Sequence, residues 1–418
     1  MKKGRKLQVK TKKILMLAMV AVMCLALVVG CGGKTDTNSQ GNNNQPAGNN
    51  DSTGNNAVAE VIKIGGNFEL TGGAAEFGKK GENGAKLAIK EINEQGGILG
   101  GKKIEYVGAD NKSEAGESTA AATKLITQDK VVGMVGPMTT GNTLAAIPIV
   151  TENKIPLVTP TGTNATITVS ENGTLNEWLF RACFIDPFQG EVAANFALDH
   201  LKVSKAALVI DQKGDYAKGL AESFKKTFEA AGKEVVASEQ YVAGQDTDFR
   251  AILTNIKSKN PDIIFVPGYY GEVGMIVKQA RDLGITAIML GGDGWGTGPI
   301  VDVAGKAAMN NTYYVDHVAA DDPALAEFNA KYKQEYGQDA DSFGALGYDA
   351  AKMLIAAIDA AGSTDSEAIR AALTATADFQ GVSGVINVDA ATHNPKKSAT
   401  ILEFKDGEKS FATRVDPK

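Results

Sequence analysis

The chain has 418 residues, 43% apolar and 22% charged, with a formal net charge of −6. That length exceeds one ordinary hydrophobic core, so two folded units are expected. Seven bases fall in the first thirteen residues and no acid precedes Asp36, leaving 36 bases against 49 acids in the remainder; an acidic body without a basic patch argues against nucleic acid, whose phosphates need dense Lys and Arg.

The N-terminus reads as an address. A basic stretch (Lys2 to Lys13) precedes sixteen apolar residues, Ile14 to Val29, and then Gly30-Cys31. Positive segment, apolar segment and a small residue at the cleavage point make residues 1–30 a secretory signal peptide. The apolar run is short for a membrane span, which needs about 20 residues. From Gly32 to about Ala57 the chain is Gly, Asn, Ser, Thr, Asp and Gln with almost nothing apolar. Such a segment buries too little surface to offset its ordering entropy, so residues 31–58 are expected to act as a tether. Cys24 and Cys31 belong to this leader, which leaves Cys183 as the body's lone cysteine, predicted to be a buried, unpaired thiol. His200, His317 and His393 are scattered and match no zinc spacing. No metal and no cofactor is expected.

Beyond the tether, strand-length apolar runs recur at Val61–Gly65, Ile104–Gly108, Val131–Val135, Ile155–Thr159, Ala206–Asp211, Asp262–Val266, Ile285–Leu290 and Tyr313–Val315. Between them lie helical patterns: Ala85 to Ile92, Leu144–Val150, Ala217–Ala231, Phe249–Ile256 and Met275–Leu283. Helix-ending signals follow several of them, as in Gln95-Gly96-Gly97 and Asn260-Pro261. Alternating strands and helices predict an α/β fold with doubly wound parallel sheets. Ligands of such sheets bind beyond the carboxyl ends of the strands.

The segments after the strands are polar, small or aromatic. Two are rich in threonine: Thr139-Thr140-Gly141 before a helical run, and Thr161-Gly162-Thr163 one unit later. Free N–H groups and hydroxyls at a helix start suit a carboxylate, although simple N-capping explains such threonines equally. Phe77, Tyr216, Tyr269, Tyr270, Trp295 and Phe343 occupy loop positions where they could wall a pocket. Asp293, among glycines, suits either a counter-charge for an ammonium group or an Asx-turn. Gly96–Lys103 approaches a phosphate-loop pattern but lacks its final Ser/Thr and lies between a helix and a strand, the reverse of the required context. No nucleophile elbow and no H-E-x-x-H pattern occurs. These absences weaken hydrolase readings without excluding them, and no enzymatic activity is expected.

Several stretches together carry a family. Lys63-Ile64-Gly65 leads to Leu70-Thr71-Gly72, then come Asn83-Gly84-Ala85, Gln95-Gly96-Gly97-Ile98 and Val135-Gly136-Pro137. Tyr216-Ala217-Lys218-Gly219, Asp246-Thr247-Asp248-Phe249, Gly268-Tyr269-Tyr270 and Gly347-Tyr348-Asp349-Ala350 follow in order. From Val61 to about Val415 the body resembles the branched-chain (hydrophobic) amino acid binding proteins of ABC transporters. Val28-Val29-Gly30-Cys31 resembles a bacterial lipobox, which implies lipidation of Cys31 and extracytoplasmic anchoring at the cell membrane.

The resemblance implies a type I periplasmic-binding-protein fold of two α/β lobes joined by three crossings. Lobe one would take 60–182 and 318–380, and lobe two 183–317 and 381–418, closing on a ligand by hinge motion. It implies that Thr140 binds the ligand carboxylate, that the loop with Thr161 and Thr163 holds both carboxylate and ammonium, and that Asp293 faces the ammonium. Asp293 is one methylene shorter than the glutamate such binders carry. Phe77, Tyr216, Tyr269 and Phe343 would form the aromatic lining. Thr139 stands where some relatives have a disulfide cysteine. An uncharged amino acid, with leucine, isoleucine or valine first, is the implied solute; a permease and ATPase complex would be the partner of a monomeric binding protein. Amide, urea or carboxylate solutes, a sensory role and a secreted hydrolase are the competing readings.

Overall fold

The computed structural model describes residues 61–416. The signal segment, Cys31 and the tether lie outside the described residues. No helix among the described residues is long and apolar enough to cross a membrane.

The chain begins with β1 (Ile62–Phe68), α1 (Ala75–Glu94), β2 (Ile104–Asp110), α2 (Ala115–Thr127), β3 (Gly133–Val135), α3 (Thr140–Asn153), β4 (Leu157–Thr159) and β5 (Leu179–Arg181). These strands form a fully parallel sheet in the order β2-β1-β3-β4-β5. β3 and β4 are buried along their whole length, which explains why they read as continuous apolar runs. β5, equally buried, was not anticipated, because its short run ends in Arg181.

The second sheet follows after α4 (Asp186–Asp199). It comprises β6 (Lys205–Asp211), α5 (Asp215–Ala230), β7 (Glu234–Tyr241), α6 (Arg250–Lys259), β8 (Ile263–Phe265), α7 (Tyr270–Asp282), β9 (Ile288–Gly291), α8 (Pro299–Ala304) and β10 (Thr312–Asp316). The chain then returns to the first sheet with α9 (Ala326–Tyr336), α10 (Ser342–Ala361), α11 (Ser366–Thr374) and the hairpin β11 (Phe379–Gly381) and β12 (Gly384–Ile386). It ends in β13 (Ala399–Lys405) and β14 (Glu408–Val415) on the second sheet. That sheet runs β14-β13-β10-β9-β8-β6-β7.

The second sheet is not wholly parallel. β13 and β14 pair antiparallel, β13 on β10 and β14 on β13. They are joined by Asp406-Gly407, both at positive φ, the geometry of a tight two-residue hairpin turn. The helix α10 lies against α1 with almost no spacing. A Cβ on Gly84 would strike the Gly344 carbonyl, and one on Gly347 would strike the Gly81 carbonyl, so glycine is required where these backbones touch.

Each sheet carries its own core. Ile64, Phe68, Val135, Leu346, Leu354 and Ile358 belong to the first, and Val209, Ile264, Val266, Met289 and Phe404 to the second. The chain passes between the sheets three times: after β5, after β10 and before β13. The third passage comes after the small hairpin and not at the 380/381 boundary expected from the sequence. Ile386 is buried in the first core, and Val382 and Ser383 donate their N–H groups to Asp349 on α10 at 2.7 and 2.8 Å.

Candidate ligand-binding site

The carboxyl ends of both sheets converge on one small cavity. Phe77, Met138, Thr139, Thr140, Thr161 and Phe343 line it from the first side; Tyr216, Tyr269, Asp293 and Gly294 line it from the second. Its volume is about 10 Å³, room for roughly one water. A larger solute can enter only if the two sides separate. A larger groove of about 870 Å³ opens at the amino ends of β6, β8 and β9, among Lys205, Asp262 and Ile288. That is the wrong end of a parallel sheet for ligand binding.

Seven of the eight positions expected from the sequence line the cavity: Phe77, Thr140, Thr161, Tyr216, Tyr269, Asp293 and Phe343. The eighth, Thr163, is buried but is not a wall residue; its carbonyl accepts the Asp186 N–H at 2.9 Å. Tyr270 stands at the edge of the aromatic group, its ring 5.1 Å from Phe77. Trp295 is fully buried and donates its indole N–H to the Val266 carbonyl at 3.0 Å.

The threonine loops are built around two buried charges that sequence reasoning missed. Thr139 ends in extended backbone and α3 starts at Thr140, so the N–H groups of its first turn have no partner within the helix. Thr139 does not cap that helix with its side chain. Its hydroxyl donates instead to Glu69 at 2.9 Å, and the same carboxylate accepts the N–H groups of Met138 and Thr139 and the Asn142 amide. Glu69 therefore holds the approach to α3, whose first residue, Thr140, lines the cavity. The Thr161 hydroxyl donates to the Met138 carbonyl at 2.8 Å, tying the second loop to the first. Arg181, fully buried, donates to the carbonyls of Gly162 and Asn164 at 2.7 and 2.9 Å. No lysine or arginine lines the cavity, but this guanidinium sits directly behind one of its loops.

Asp293, 3% exposed, makes no Asx-turn. Its Oδ1 accepts from Gln189 Nε2 at 3.0 Å and from the Tyr216 hydroxyl at 2.8 Å, while Oδ2 lies 3.1 Å from His317 Nε2. Burial, and then the Asp293 charge, push the Tyr216 hydroxyl well above its usual range, so it stays a donor. Burial holds the His317 imidazole below its ordinary range despite the neighbouring carboxylate. Asp316, the last residue of β10, is pushed up to about 7 by burial.

The aromatic wall consists of two stacked pairs. Phe77 and Phe343 are 4.3 Å apart between ring centres, and Tyr216 and Tyr269 are 5.2 Å apart at 7°. Phe77 meets Tyr269 edge-on at 5.4 Å, so the wall is continuous across the two sides.

Glu69 and His317 were within reach of the sequence, since each directly follows a strand. Gln189 and Arg181 carried no such signal: one lies on α4 and the other inside a three-residue strand. Cys183 is free and buried as expected, its Sγ 3.4 Å from the Gly162 carbonyl. Among the described residues there is no cluster of His, Cys, Asp and Glu suited to a metal.

Comparison with known proteins places this geometry in a family. The periplasmic binding protein family matches residues 61–409. A Leu/Ile/Val-binding protein of Rhizobium johnstonii is 35% identical over 83% of this chain and 92% of its own length. The structure of a branched-chain amino acid transporter substrate binding protein from Streptococcus pneumoniae, in complex with isoleucine, is 39% identical. It superposes with a TM-score of 0.80 over 86% of this chain and all of its own. A solute binding protein of an ABC transporter from Rhodopseudomonas palustris, in complex with 3,4-dihydroxy benzoic acid, is 25% identical with a TM-score of 0.75, covering 85% of this chain and 98% of its own. With two α/β lobes, three passages between them and a cavity at the strand ends, the chain belongs to the periplasmic binding protein family and has its type I fold.

Proposed function

We propose that this protein captures an uncharged α-amino acid, a branched-chain one first, between its two lobes and presents it to an ABC importer. The observation that carries this reading is the opposition, within one cavity, of the α3 start at Thr140 to the Asp293 carboxylate, with only aromatic rings and neutral groups between them. The helix start and the Thr161–Thr163 loop take the ligand carboxylate, assisted by the positive ends of backbone dipoles. Asp293 balances the ammonium. A charged ligand side chain would find no partner among the aromatic rings, at a cost of several kcal/mol.

An aromatic carboxylate is the second reading, favoured by the stacked rings and by the dihydroxybenzoate bound to one structural neighbour. Asp293 separates the two, because an anion without an amine leaves that buried carboxylate uncompensated. Calorimetry with leucine, isoleucine, valine, their decarboxylated amines and a set of benzoates tests the reading. Binding of the amino acids and not of the benzoates is expected; tight benzoate binding with no amino-acid binding sinks it. The protein acts outside the cytoplasm, held to the membrane by lipid on Cys31 and working as a monomer with its permease and ATPase.

A further inference from the structure

Asp293 receives two kinds of donor. Gln189 and Tyr216 supply Oδ1 with neutral groups, while His317 supplies Oδ2 with the one donor that can become a cation. His317 is 3% exposed, its ring stacks on Phe184 with 3.8 Å between centres, and its Nδ1 has no hydrogen-bond partner. Its backbone N–H is taken by the Asp316 side chain at 2.7 Å, so the ring is held from both ends. We propose that His317 is a specificity-determining residue of the ligand site: as a neutral Nε2–H donor it orients the Asp293 carboxylate and reserves its full charge for a ligand ammonium group. This rests on the reading that an amine sits beside Asp293.

The consequence is a proton linkage. An imidazolium at this distance neutralises Asp293 and repels an ammonium. Ligand binding therefore lowers the proton affinity of His317, and below its free-protein pKa binding must release that proton to solvent. Affinity is complete above that pKa and falls as pH drops through it. Burial holds the imidazole low, so the site is fully competent near neutrality. The other titratable groups around the pair are Asp316 beside it, Lys397 and Cys183 on the neighbouring passages, and Asp186, Tyr216 and Tyr269 around Asp293. Asp316 also titrates near neutrality, so Asp316→Asn serves as the background in which His317 is read.

Two measurements decide it. Long-range ¹H–¹⁵N NMR of the histidine rings should find His317 neutral at pH 7 with its proton on Nε2; a charged ring or an Nδ1–H tautomer overturns the proposal. Leucine affinity between pH 8 and pH 5 should fall by about tenfold per pH unit below the imidazole pKa in the Asp316→Asn protein. His317→Gln in that background keeps a donor at the same reach, so it should stay within about threefold of the parent at pH 8 and lose the pH dependence. His317→Phe keeps the stacking but no donor, and should bind weakly at every pH. If leucine binds but the parent and His317→Gln profiles coincide, the His317 role falls while the amino-acid reading stands. If no amine-bearing solute binds at any pH, the amino-acid reading falls and takes the specificity role with it.

Discussion

On the proposed reading, Asp293 is a single carboxylate prepared for a ligand ammonium. Two neutral donors fix one oxygen and an imidazole fixes the other, so little reorganisation is left when an ammonium arrives. Asp293→Ala should weaken amino-acid binding by about 2–5 kcal/mol. Thr140→Ala should cost less, about 1–3 kcal/mol, because backbone donors of α3 remain; titration calorimetry compares the two. A second residue-scale effect concerns stability. Asp316 is raised by burial to about 7 from its unfolded value near 4, so the native state holds a proton that the unfolded state has lost. Its contribution is therefore favourable in acid and disappears as pH rises from about 4 to about 7. Asp316→Asn removes that loss and should raise stability at pH 8 by about 1–3 kcal/mol, with little change at pH 4. Urea unfolding at the two pH values measures it; an equal effect at both would show that Asp316 is not buried as a neutral acid.

At the scale of elements, the start of α3 illustrates what loop motifs leave out. The sequence marked Thr139-Thr140 as a helix start, and the structure places it there. It did not reveal that Glu69, at the end of β1, would take two N–H groups, a hydroxyl and an amide around that start. Glu69→Ala would leave these buried donors unpaired and should destabilise the fold by about 3 kcal/mol, seen as a lower urea midpoint. Glu69→Gln should rescue only part of the loss, since its NH₂ faces donors. An unchanged midpoint in Glu69→Ala would mean that water replaces the carboxylate. The antiparallel β13–β14 pair was likewise missed. Its Asp406-Gly407 turn is a local hairpin signal, but its partner β10 lies more than eighty residues earlier, beyond any local pattern.

For the whole molecule, a cavity of about 10 Å³ couples binding to lobe separation on the proposed reading. Cys183 lies on the first passage between the lobes and is buried and free. Burial pushes its thiol up to about 12, so almost no thiolate exists at neutral pH. Reaction with an aromatic disulfide at pH 7.5 should be negligible in the folded protein and complete in denaturant; rapid labelling of the folded form would mean that the passage opens freely. Membrane attachment belongs to the same scale. Cys31→Ala should abolish incorporation of labelled fatty acid and release the protein from the membrane, while leaving leucine affinity unchanged. Wild-type protein that takes up no label would refute the lipid anchor.

The strand-helix alternation, the signal-like pattern at the N-terminus and the loops that line the cavity are local features. They depend on periodicity, turn residues and composition within windows of about twenty residues, and each could be read from the sequence. The pairing of Asp293 with Gln189 and His317, of Glu69 with Asn142, and of Arg181 with the carbonyls of Gly162 and Asn164 joins residues up to 104 apart in the chain. No short-range pattern encodes which buried polar group will meet which. That choice is made only when two sheets and their crossings pack, because a buried charge is tolerated solely where the finished fold supplies its partners.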